Sequence, residues 1–126
     1  MRILGISGSP RGQESNTRKL VERVVEGAKS VGAEAELVDL SEMNIAYCVA
    51  CNACHITGKC TRKDDMIELH QKMLTCDGLV LGSPVYFSSV TAQLKTVIDR
   101  LSDVIHCQHF LGQVRMLGRH CRRAGV

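Results

Sequence analysis

The chain has 126 residues, a length that allows at most one domain. Hydrophobic residues make up 44% but aromatics 3%, so the core has to be built from Val, Leu, Ile, Ala and Met. Four of the 16 basic groups (Arg115, Arg119, Arg122 and Arg123) fall in residues 113–126, leaving 12 against 13 acidic groups in the rest of the chain. There is no basic stripe and no interleaved aromatic platform, which argues against nucleic-acid binding.

No apolar run approaches the ~20 residues a membrane helix needs. The start, MRILGISGSP, lacks a secretory signal, so a cytoplasmic protein is expected. Seven cysteines, four of them between Cys48 and Cys60, are an odd and crowded set. In a reducing compartment such a set holds metal or does redox chemistry more often than it forms disulfides.

Arg2–Ser7 is a short apolar run that reads as a buried strand, followed by a polar turn from Gly8 to Asn16. From Thr17, Leu20, Val21, Val24, Val25, Ala28 and Val31 recur at helical spacing, and Gly32 supplies a stop. Ala33–Leu40 alternates like a half-covered strand. This β–loop–α–β unit predicts a parallel sheet with a right-handed crossover. Residues 41–63 carry no sustained period and hold the cysteines. Asp64 and Asp65 open a helix whose inward stripe is read as Met66, Ile67, His70, Met73 and Leu74. Gly78–Ser83 is a third strand, ended by Pro84. A polar-aromatic loop then leads to a helix with Val90, Leu94, Val97, Ile98, Leu101 and Val104 on one face. Beyond Ile105 the pattern decays, so about three of the five strands of a doubly wound sheet are expected.

SGSPRGQESNT lies between a buried strand and a helix start, where outward N–H groups can cradle a phosphate. Gly8 and Gly12 allow close approach, Ser9, Ser15, Asn16 and Thr17 are neutral donors, and Arg11 adds a cation. Neither GxGxxG nor a Walker loop is present, which favours a terminal monophosphate. The bland alternative is a Ser-rich turn ending in a helix cap. SPVYFSS follows the third strand at the sheet edge where such folds bind ligands. Tyr86 and Phe87 at its tip suit a flat ring; the alternative is a capping loop with a hydrophobic staple.

Cys48, Cys51, Cys54 and Cys60 form C-x2-C-x2-C-x5-C. Two-residue gaps can wrap successive sulfurs round a small object, and Gly58 permits a tight turn before Cys60. Four soft ligands suit a [4Fe–4S] cluster; structural zinc and a metal-free redox thiol pair remain open. Cys76, Cys107 and Cys121 are read as buried or incidental, and nothing beyond proximity supports His106, Cys107 and His109 as ligands.

Together, GISGSPR-x3-SNT, the cysteine quartet followed by DDM, LGSPVYF and a helix ending IDR resemble the iron–sulfur flavoprotein branch of the NADPH-dependent FMN reductase family, over about residues 1–111. The resemblance implies an α/β, flavodoxin-like fold with FMN on the loops after the first and third strands. Ser9, Arg11, Ser15, Asn16 and Thr17 would hold the FMN phosphate, and Pro84, Val85, Tyr86 and Phe87 would line the isoalloxazine. Cys48, Cys51, Cys54 and Cys60 would ligate [4Fe–4S]. It further implies a flavin-dependent oxidoreductase converting one-electron supply, from a ferredoxin-type donor or NAD(P)H, into two-electron flavin chemistry. No acid–base triad is needed for this, and a homodimer or homotetramer is expected.

On this reading residues 1–111 are the FMN-binding domain, with the cysteine loop at 41–63, and residues 112–126 are an atypical basic tail. Residues 113–126 do not resemble the family, and a frameshift near Gly112 or a C-terminal truncation is the expected explanation. Losing the last strands would leave the third as an exposed edge. The rival readings are an NAD(P)H-dependent FMN or quinone reductase without a cluster, a zinc-bound interaction module, and a non-catalytic fragment.

Overall fold

A computed structural model describes residues 1–102, residue 104 and the backbone of 114–116. The expected strands form as β1 (Arg2–Ser7), β2 (Glu34–Asp39) and β3 (Gly78–Gly82). A fourth, β4 (Val114–Met116), was not foreseen. All pairings are parallel in the order β2-β1-β3-β4, which is flavodoxin-like. Contrary to expectation the edge of β3 is not bare, because β4 pairs with Gly78–Val80. A three-residue strand carries too little period to be read from sequence; its partner defines it. Cys107, Cys121, His106 and His109 lie outside the described residues.

The helices are α1 (Asn16–Ser30), α2 (Ala53–Thr57), α3 (Met66–Thr75) and α4 (Ala92–Asp99). Single 3-10 turns stand at Gly12–Glu14 and Leu40–Glu42. The main core lies on one face of the sheet. There Leu4, Ile6, Val38 and Leu40 pack with Met66, Leu69 and Met73 of α3, and with Leu94, Val97, Leu101 and Val104 along α4 and just beyond it. The α3 stripe is thus corrected: Leu69 is buried, Ile67 is exposed, and His70 and Leu74 are half-buried.

On the opposite face α1 touches the sheet along a narrow ridge. Only Val21 and Val25 are buried, whereas Leu20, Val24 and Val31 of the expected stripe are exposed. Two strand glycines explain this. A Cβ on Gly5 would meet Val25 Cγ2 at 2.7 Å and Val21 Cγ1 at 2.8 Å, and one on Gly82 would meet Val21 Cγ2 at 2.3 Å. The two valines therefore sink into a groove with no side chains, which fixes the start of α1 over the ends of β1 and β3.

Candidate functional site

Parallel strands send their following loops to the same edge of a sheet. With Ser7 opposite Gly82, the loop after β1 (8–15) lies beside the loop after β3 (83–91). Gly8 N donates to Gly82 O at 2.7 Å. Thr91, fully buried, donates its hydroxyl to Gly8 O and accepts from Leu94 N at 3.3 Å as the cap of α4. Thr91 N in turn donates to Ser83 Oγ at 3.0 Å. A Cβ on Gly8 would stand 2.8 Å from Leu94 Cβ, so that glycine serves packing between the loops.

Within the first loop, Ser15 caps α1: its hydroxyl accepts from Arg18 N at 3.2 Å, and Lys19 N bonds Ser15 O at 3.1 Å. The amides of Asn16 and Thr17, at the helix's first positions, have no intrahelical acceptor. Ser9 accepts from Arg11 N at 3.3 Å, and the Ser9 and Ser15 hydroxyls each keep a proton to donate. Arg11 and Asn16 are exposed and Thr17 is half-buried. Two hydroxyls, two free amides and an exposed cation at the N-terminus of a 15-residue helix fit a phosphate monoester.

The second loop is a tight hairpin turn in which Tyr86 N and Ser89 O, and Ser89 N and Tyr86 O, are each 3.0 Å apart. Its central residues Phe87 and Ser88 have φ of 48° and 62°, a conformation that normally selects Gly or Asn. The strain carries Phe87 fully into solvent, with Val85 and Tyr86 also exposed and Pro84 half-buried beneath them. The loop tip therefore offers aromatic and aliphatic surface beside the first loop, a lining suited to a flat ring.

The cysteine loop is pinched at its neck. Asp64 Oδ2 accepts from Ala46 N at 3.0 Å, and Asp65 Oδ2 accepts from Asn44 N at 2.6 Å. Arg100 closes the neck, its fork on Asp64 at 2.8 and 3.0 Å and its Nη1 on Ala46 O at 2.7 Å. Its side chain is 1% exposed. These bonds, Arg100 first, hold the Asp64 carboxyl below its ordinary range, while Asp64 holds the Arg100 guanidinium up. Arg62 sits 5.6 Å from the Tyr47 ring across the neck.

Inside the loop each gap between cysteines contains one left-handed residue: Ala50 (φ 54°), Asn52 (φ 59°) and Gly58 (φ 71°). Such residues reverse the chain locally, and all four cysteines line one cavity of about 140 Å³, shared with Arg62, Arg100 and Ser102. Cys48, Cys51 and Cys60 are exposed and Cys54 half-buried. Ala50 N donates to Cys48 Sγ at 3.4 Å. The Cys51 thiol is pushed down by the Ala53 amide and then by the Thr61 hydroxyl. Amide-to-sulfur bonds favour thiolate, the form that ligates metal.

Among the described residues no three His, Cys, Asp or Glu converge as ligands of a single ion would. Zinc needs four sulfurs within one tetrahedron, whereas a polynuclear cluster takes one thiolate at each corner iron. Four thiols lining one cavity match either group in ligand type and number. Cys76 is buried in the core, and burial pushes its thiol up.

Two structural residues were missed in the sequence. Thr91 has the residue type of an N-cap, a signal that was available. Arg100 carries a charge in step with Val97, Leu101 and Val104 on an apolar face, which marks a buried ion pair.

The family model of NADPH-dependent FMN reductases matches residues 1–118. An iron–sulfur flavoprotein of Methanocaldococcus jannaschii is 45% identical over 100 residues, covering 79% of this chain and 51% of the relative. One from Methanosarcina thermophila is 42% identical over 100 residues, covering 79% and 52%. The chain thus spans about half the length of these curated relatives. The fold also matches RosB with a bound intermediate (TM-score 0.72, 20% identity, 93% of this chain and 50% of that one). It matches an FMN-dependent NADH-azoreductase of Bacillus anthracis in complex with FMN (TM-score 0.68, 15% identity, 93% and 67%). With these matches, the chain belongs to the NADPH-dependent FMN reductase family, on its iron–sulfur flavoprotein branch.

Proposed function

We propose that the chain is the FMN- and [4Fe–4S]-binding portion of a cytoplasmic oxidoreductase that converts one-electron supply into two-electron flavin chemistry. The observation that carries the reading is the shared cavity of Cys48, Cys51, Cys54 and Cys60, on a loop pinned at its neck. In this reading FMN sits on the two tied loops at the sheet edge: Ser9, Arg11, Ser15, Asn16 and Thr17 hold the phosphate, and Pro84, Val85, Tyr86 and Phe87 line the isoalloxazine. When bound, the cluster supplies single electrons and the flavin stores two. The chain's own work is to bind and orient both groups, through thiolates on one side and neutral donors with apolar surface on the other. The electron source is a ferredoxin-type protein or NAD(P)H, and the whole protein works as a homodimer or homotetramer.

Anaerobic purification with iron and sulfide reconstitution tests this. A flavin absorbance band, a broad cluster shoulder and about four irons per chain are expected. The C60S variant loses iron, while C76S retains it. Zinc with no flavin would reject the proposal; flavin without iron would favour the rival FMN or quinone reductase lacking a cluster.

A further inference from the structure

Arg100 has more donors than its visible partners use. A guanidinium carries five N–H groups. Nη1 commits both of its protons, to Ala46 O at 2.7 Å and Asp64 Oδ2 at 2.8 Å, and Nη2 commits one, to Asp64 Oδ1 at 3.0 Å. Nε is buried and has no acceptor in the structure. The side chain cannot turn outward to water, because its fork is fixed on Asp64 and it is 1% exposed. Arg100 also forms part of the cysteine cavity wall, together with Cys60.

We propose that Arg100 is a positioning residue for the cluster, giving its spare Nε proton to the Cys60 sulfur and stabilising the added electron density of the reduced state. The inference rests on the proposed function, since it needs a cluster held by Cys60. Hydrogen bonds to cluster sulfurs raise the reduction potential, as they offset the negative charge that reduction adds. Asp64 contributes by aiming the fork: it fixes the guanidinium plane and leaves free the edge that carries Nε–H and the second Nη2 proton, of which Nε–H is the one with no acceptor at all. Lysine would keep the charge but could not serve Asp64, Ala46 and a sulfur from one rigid plane.

The test is a redox titration of the reconstituted full chain, followed by visible and EPR spectra, for the parent, R100K and the double variant R100M/D64N. The double variant removes the pair together, so neither charge is stranded. At equal iron content, the one-electron equilibrium for cluster reduction should fall about tenfold in the double variant, a potential lower by about 59 mV. R100K should lie between the two. Loaded variants whose equilibrium stays within about twofold of the parent overturn it. A parent that takes up no iron overturns the proposed function, and this inference with it.

Discussion

Thr91 gives the sharpest test of how the two candidate flavin loops are joined. Its hydroxyl donates to the carbonyl of Gly8 in the first loop and caps α4 below the second. Valine has nearly the same shape, so T91V removes the hydroxyl with little change in packing. Loss of the cap costs about 1 kcal/mol. Leaving the buried Gly8 carbonyl without its donor costs about 1–3 kcal/mol more. The sum is about 2–4 kcal/mol, which at a urea dependence of about 2 kcal/mol per M moves the midpoint down by ~1–2 M. FMN affinity, read by quenching of flavin fluorescence, should fall as well, because the loops proposed to bind phosphate and ring lose their common anchor. T91S keeps the hydroxyl and should recover most of both quantities. A T91V midpoint within about 0.3 M of the parent, or a T91S variant as weak as T91V, would refute the reasoning.

Two further outcomes follow from the packing of α1 and from the neck of the cysteine loop. G82A forces a Cβ to within 2.3 Å of Val21 Cγ2, a branched side chain with little rotamer freedom in a helix. It should destabilise by about 1–3 kcal/mol in urea melts, and V21A should recover part of that loss only in the G82A background. Asp64 is held below its ordinary pKa, chiefly by the hydrogen bonds of Arg100. Its stabilising contribution is therefore complete above the unfolded value of about 3.9 and is lost as pH falls through the lower folded value. The gap in urea midpoint between the parent and D64N should be wide at neutral pH and narrow below about pH 4. An unchanged gap at about pH 3 would exclude the Asp64–Arg100 pair as its source.

The sequence by itself determined the elements and the order of the chemistry. β1, β2 and β3 fall within a residue or so of their expected positions, because apolar runs bounded by turn residues leave little choice. The candidate cysteine quartet was equally legible, since a spacing within one short segment needs no tertiary partner to be seen. Side-chain burial was another matter. Leu20 and Val24 were indistinguishable from Val21 and Val25 until Gly5 and Gly82, far apart in the chain, became neighbours in the sheet and made a groove one ridge wide. β4 likewise depends on a partner strand for its existence.

Within the site, what the tertiary structure decided is how the parts are coupled. Sequence placed two loops and a quartet of thiols in order along the chain. Only the parallel register of β1 with β3 puts both loops at one edge, where Thr91 can bridge residues 83 positions apart. Only the return of α4 brings Arg100 to Asp64 and to the cysteine cavity. Periodicity and spacing report what a segment does with its own near neighbours, whereas a buried charge or hydroxyl is explained by the distant group it satisfies.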